Sequence, residues 1–167
     1  MFKNTRKSLL LSILLGVLLG TLLKFFVIDI IHISGSSMEP TYRHGDAVAV
    51  SKLAYGLVIP FGASVFFSWK KPENGDIVIF MHDGKLVIKR CAGTEGFPLD
   101  YSIDNGYTLT VNGQSFPLSE EQYENMRTID SVPAGMILAI GDNSVSSIDS
   151  RNYGFIPVKN ILGKAIK

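Results

Sequence analysis

From Ser8 to Leu23 the chain reads SLLLSILLGVLLGTLL, sixteen residues without a charge. A helix of that length spans ~24 Å, short of the ~30 Å hydrocarbon core of a bilayer. Continuing through Lys24 to Ile28 adds enough apolar residues for ~31 Å, with the Lys24 ammonium snorkelling to the interface. The pattern predicts one transmembrane helix. Beyond it the texture changes to short apolar runs broken by Gly, Pro and Asn.

These later runs read as strands. DAVAVSKLAYG alternates and leads into a glycine turn, while LVIPFGASVFFSW is apolar throughout, lacks helix caps, and is interrupted by Pro60 and Gly62. GDIVIFMHDGKLVIKRCAG reads as a hairpin turning at Asp83-Gly84, and YTLTVNGQSFPL as another turning at Asn112-Gly113. MILAIGD and GFIPVKNILGKAI close the chain as strands. Only one helix is signalled outside the anchor: Ser119 and Gln122 have capping-box spacing before EEQYENM. The expectation is a mainly β chain: an antiparallel β-barrel or sandwich-like domain with one N-terminal transmembrane helix. Residues 1–28 would form a basic tail and anchor. Residues 29–167 would form the β domain, with a short inserted region at about 100–130.

Charge adds direction. Lys3, Arg6 and Lys7 precede the apolar run, which predicts a cytoplasmic N-terminus and a β domain across the membrane. From residue 25 onward there are 12 Lys and Arg against 15 Asp and Glu, a balance of −3. That argues against nucleic acid, which calls for a basic footprint. A cleaved secretory signal is the competing reading of the N-terminus, with Ser34-Gly35-Ser36 at cleavage-like spacing. No cysteine follows the run to serve a lipoprotein-type attachment. The single cysteine, Cys91, excludes an internal disulfide and any Cys-rich metal site.

The stretch HISGSSMEPT, His32–Thr41, follows the anchor and carries three serines. A serine hydroxyl is a weak nucleophile without a base to take its proton. The lipase-type G-x-S-x-G elbow is absent, since Met38-Glu39 follow Ser37 where a second glycine is required. His44 and His82 read as exposed loop residues, and His32 as a partly buried structural one. The remaining base is a lysine. Its ordinary pKa of ~10.4 must fall by about three units, or ~4 kcal/mol, to serve at neutral pH. Burial among apolar groups can do that. Lys89 follows Leu86-Val87-Ile88 on a predicted strand and fits, although the same pattern also suits a strand-end lysine facing water.

The ordered motifs SGSSMEPT, GDIVIF, KLVIKRCAG and GDNSVSSIDSRNYGFIP, with KLAYGLVIPF and NILGKA, resemble the type I signal peptidases from the anchor to the chain's end. Those are membrane-bound Ser-Lys endopeptidases of the bacterial cytoplasmic membrane that remove signal peptides from exported precursors. The resemblance implies Ser37 as nucleophile, Lys89 as general base, and Ser147 as a hydroxyl hydrogen-bonded to that lysine. It implies Asp149 and Arg151 as a supporting ion pair. The oxyanion region would be Gly35 and Ser37, with the Ser37 N–H as donor and no side-chain donor at Gly35. Pockets for small residues at −1 and −3 would be walled by Ile33, Met38, Val87 and Ile88, each equally readable as core. No metal or cofactor is implied, and the partners would be signal peptides and membrane lipid.

The Gly141–Arg151 stretch lacks an internal Arg-Asp usual in the family, and Glu95 and Phe97 replace a usual Pro and Asp. A divergent paralogue with narrow clients, or an inactive membrane-anchored β binding protein, is therefore the alternative. The self-cleaving repressor type shares Ser-Lys chemistry, but it lacks an anchor and carries a DNA-binding module.

Overall fold

The computed structural model describes residues 2–58 and 64–166, with side chains from Lys7 onward. The expected interruption at Pro60 and Gly62 lies outside the described residues, as do the side chains of Lys3 and Arg6. Helix α1, Phe2–Leu22, continues as a π-helical turn over Leu23–Val27. Segment Lys7–Val27 is long and apolar enough to cross a membrane and is not buried inside the molecule, and its last turn meets the β domain where the Lys52 N–H donates to Val27 O. Its leucines cover every side of the helix, so no face is left for water.

The β domain begins at once. In chain order its strands are β1 (Ile28–His32), β2 (Ala47–Ser51), β3 (Gly56–Val58), β4 (Val65–Ser68), β5 (Ile77–His82) and β6 (Lys85–Thr94). There follow β7 (Asp100–Ser102), β8 (Thr108–Val111), β9 (Gln114–Pro117), helix α2 (Glu120–Met126) and β10 (Met136–Ile140). Helix α3 (Ser150–Tyr153), β11 (Ile156–Pro157) and β12 (Ile161–Ala165) complete it. The main sheet has the order β1-β2-β12-β5-β6-β10-β11, and its registered pairs are antiparallel. β3 and β4 form a separate ribbon, and β7, β8 and β9 a small three-stranded sheet.

Both predicted hairpins form. Asp83 and Gly84 have positive φ angles of 47° and 70°, and Asn112 and Gly113 of 51° and 74°. This is the mirror-image turn that matches strand twist, and Asn, Asp and Gly tolerate it best. Both halves of the Ser119–Gln122 capping box are made at the start of α2. Helix α3 is a correction to the expectation of one soluble helix. Asp149 caps it, accepting the Arg151 N–H, while Asn152 reaches back to the Asp149 N–H. A D-x-x-N spacing is the signal, but one turn leaves no periodicity to find.

Strand β5 shows why its apolar run is continuous. Side chains alternate between faces: Ile77 and Ile79 join a cluster with Ile33, Met38 and Val48, while Val78 and Phe80 join one with Tyr55, Cys91 and Ile161. Strand β10 divides in the same way, with Ile137 and Ala139 on one side and Leu138 and Ile140 on the other. The central strands are thus covered on both faces. The site is built where this double burial meets the loops after β1 and β10.

Candidate active site

Ser37 lies in the loop between β1 and β2. Its neighbour Met38 is fully buried among Ile33, Val48, Val50, Ile77 and Ile79, so the loop is nailed into the core one residue after the serine. The Asn143 N–H donates to the Ser37 carbonyl at 3.0 Å, and the Asn143 side-chain amide donates to Ser36 O at 3.3 Å. The Gly45 N–H closes the loop's base on Ile33 O at 2.9 Å. Gly35 has φ +88° with open space where a Cβ would stand, and its N–H donates to His44 Nδ1 at 3.1 Å.

Lys89 sits on β6 directly across from the fully buried Val78, on the face it shares with Val87 and Cys91. It is 4% exposed. Of its two sequence readings, the buried one holds. Lys89 Nζ lies 2.6 Å from Ser37 Oγ. Burial holds the lysine below its ordinary range; the pull of Asp149 and Asp142 opposes this, and Arg151 adds to it. Desolvation wins because each carboxylate is already committed to an arginine.

The loop 141–151 supplies the rest. Asp149 and Arg151 are both buried, joined at Nε–Oδ1 and Nη2–Oδ2, each 2.9 Å. Asp149 also accepts the Gly141 N–H at 3.0 Å. Arg151 spends its other donors on the carbonyls of Pro117, Ser144 and Ser147. Ser147 is buried beside the pair, but its Oγ makes no hydrogen bond. The expected Ser147–Lys89 hydrogen bond is therefore not made in this structure, where the lysine turns to Ser37. A Cβ on Gly141 would collide with Ser147 Oγ and Ser37 O, so only glycine fits at that position.

A second ion pair was not foreseen. Arg90 grips Asp142 through Nε and Nη2, both at 2.7 Å, and Thr41 Oγ1 donates to the same carboxylate at 2.5 Å. Arg90 Nη1 donates to Gly75 O. Adjacent strand residues point to opposite faces, so Lys89 faces the serine while Arg90 ties the loops of Thr41 and Asp142 together. The available signal was an Arg and an Asp each placed next to a residue of the site.

An open groove of about 480 Å³ runs past Ser37 and Lys89. Ile33, Val87 and Ile88 line it; Met38 does not, being enclosed in the core. Ile148 and Tyr153 add apolar wall. Two of the three histidines, His32 and His82, depart from their expected places. His32 is exposed and lines the groove. His82 is half-buried at the end of β5, stacked on Tyr153 with ring centroids 3.9 Å apart. His44 is exposed, as expected, although it holds the Gly35 amide.

A serine oxygen thus lies against a buried amine, beside a groove on an antiparallel β scaffold. The model for "Signal peptidase, peptidase S26" matches residues 6–167. A probable signal peptidase I-1 of Synechocystis is 32% identical over 160 residues, covering 86% of this chain and 72% of its own. The signal peptidase I of Bacillus caldolyticus is 31% identical over 160 residues, covering 85% and 79%. A crystal structure of a signal peptidase I from Enterococcus faecalis covers 60% of this chain at 30% identity, with a TM-score of 0.42. The chain belongs to the signal peptidase family, peptidase S26, and is a serine endopeptidase that cleaves signal peptides from precursor proteins.

Proposed function

We propose that Ser37 and Lys89 perform this cleavage as nucleophile and general base, in a domain held at the outer face of the bacterial cytoplasmic membrane by α1. The supporting observation is the 2.6 Å approach of Lys89 Nζ to Ser37 Oγ in a buried setting. With the amine neutral, the serine hydroxyl donates to nitrogen and attacks the scissile carbonyl as its proton transfers. The resulting ammonium then protonates the leaving amine, and water activated by the same amine deacylates Ser37.

The Ser37 N–H is the proposed oxyanion donor. The Gly35 N–H is spent on His44, and Gly35 offers no side chain. Asp149, Arg151 and Ser147 shape the loop that seats Ser37 and do not themselves react. Ile33, Val87 and Ile88 line shallow apolar walls suited to small side chains at −1 and −3. An extended signal peptide would pair along β6, whose segment Lys85–Lys89 has β5 on one edge and no registered β10 partner on the other.

The basic residues ahead of the apolar run, Lys3, Arg6 and Lys7, favour a cytoplasmic N-terminus. From the end of the π-helical turn at Val27 to Ile31 is four residues of strand, at most ~13 Å. The groove therefore opens close to where a membrane-inserted signal peptide ends its span.

Purified protein in detergent, given a precursor with an A-x-A cleavage site, should cleave it. Ser37→Ala and Lys89→Ala should each lower the rate by about 10⁴-fold or more, and the double variant should fall no further, because the pair acts as a unit. Cleavage persisting in either single variant would overturn the dyad.

A further inference from the structure

Between the buried side chains of Ile33 and Met38 the backbone crosses from Ser34 to Ser37. Its far end is well held. The Glu39 N–H donates to Ser36 O at 3.1 Å, and Asn143 donates to the carbonyls of both Ser36 and Ser37. Its near end is Gly35, with φ +88° and open space where a side chain would stand. Glycine has the widest conformational freedom of any residue, so the approach to Ser37 turns most easily here. Among the described residues, the hydrogen bond made by the Gly35 N–H runs to His44 Nδ1, at 3.1 Å.

His44 is presented by a turn that is closed on its own. The Asp46 N–H donates to Arg43 O at 3.1 Å, and Asp46 Oδ2 accepts the Arg43 N–H at 2.8 Å. Two backbone bonds tie this turn to Ile33: Gly45 N–H to Ile33 O and Ile33 N–H to Asp46 O, each 2.9 Å. The base of the loop is therefore shut without the exposed imidazole. Because Nδ1 accepts an N–H, it carries no proton, and the ring hydrogen sits on Nε2.

We propose that His44 is a positioning residue: by holding the Gly35 amide it fixes the backbone that aims the Ser37 N–H and Oγ at the scissile carbonyl. This rests on the reading of Ser37 as nucleophile. His44 does not line the groove, so it acts through Gly35 and meets no substrate. Freed from the imidazole, the peptide unit joining Ser34 to Gly35 can rotate and loosen the aim of the Ser37 amide. An oxyanion donor meets full charge only in the transition state, so a misdirected one lowers kcat and spares KM. The grip of Asn143 and Glu39 on Ser36 O keeps part of the aim. The expected loss is therefore about tenfold, below the 10²–10³ of a deleted oxyanion donor.

The test uses the full chain in detergent with a precursor bearing an A-x-A site. It compares His44→Leu, His44→Gln and His44→Asn, with Ser37→Ala alongside. The Asn Oδ1 stands as many bonds from Cα as Nδ1 does, whereas the Gln oxygen is one bond further out. His44→Leu and His44→Gln should lower kcat about tenfold with KM and melting midpoint unchanged, and His44→Asn should restore it to within about twofold. His44→Leu at the full rate, or His44→Asn as slow as His44→Leu, overturns the inference. So does a fall in kcat that comes with a matching fall in the melting midpoint, which marks a merely structural role. Cleavage by Ser37→Ala overturns the reading of Ser37 along with it. A dead Ser37→Ala beside an unimpaired His44→Leu removes the role of His44 alone.

Discussion

Lys89 illustrates how the protonation of a side chain is set by where it is put. An ordinary lysine stays protonated until pH ~10.4; this one is surrounded by buried neighbours of β5 and β6, and desolvation lowers its pKa. Cleavage should therefore rise with pH through the lowered Lys89 pKa, on a limb lying below the ordinary lysine range. Stability carries the same signature. Between the lowered value and ~10.4, the unfolded chain holds a proton that the folded chain does not, so stability increases as pH rises through that window. Lys89→Met should abolish cleavage and flatten this pH dependence. It should also raise the neutral-pH melting midpoint by about 2–4 °C for each kcal/mol of desolvation relieved. Denaturation followed across a pH series checks all of this. The residue type and its apolar neighbours were legible in the sequence. Its burial was not, because period-two alternation is the same for a strand covered on one face as for one covered on both.

At the scale of elements, the site depends on a loop with little regular structure. Segment 141–151 contains no strand and ends in a single helical turn, yet its path is over-determined. Asp149 receives the Gly141 amide and the Arg151 guanidinium, and Arg151 holds three carbonyls from two segments of chain. Arg151→Met should leave Asp149 as an uncompensated buried charge and cost about 3–5 kcal/mol in urea unfolding. Activity should fall with it, and Arg151→Lys should rescue only part, since an ammonium cannot reproduce the two-pronged grip. The hairpin turns were readable from Asp-Gly and Asn-Gly because their chemistry is local. Pairing of Arg90 with Asp142 was not, because the partners are 52 residues apart.

Taken whole, the molecule brings the end of β1 and the start of β6 to one groove, although β2, β12 and β5 lie between them in the sheet. The sheet must curl for this to happen. Pocket and core then share residues: Ile33 is buried among Val48, Val50 and Ile79 and also lines the groove. Ile33→Ala should therefore have two linked effects. Larger residues at −1 or −3 of the precursor should become acceptable, read by competition between paired substrates. Stability should drop by about 2–5 kcal/mol from the cavity left in the core. Altered specificity without lost stability would show that Ile33 belongs to the wall alone.

By itself the sequence determined the apolar helix, the β texture, both tight turns, the α2 cap and the Ser37/Lys89 pair, because each is written in local pattern or in an ordered set of motifs. Only the tertiary structure decided that Lys89 is dry, that Met38 nails the Ser37 loop into the core, that Gly141 must lack a side chain, and that His82 stacks at the groove's end. Those properties depend on which segments meet across the sheet. Burial and close approach between distant segments leave no spacing along a single chain to read.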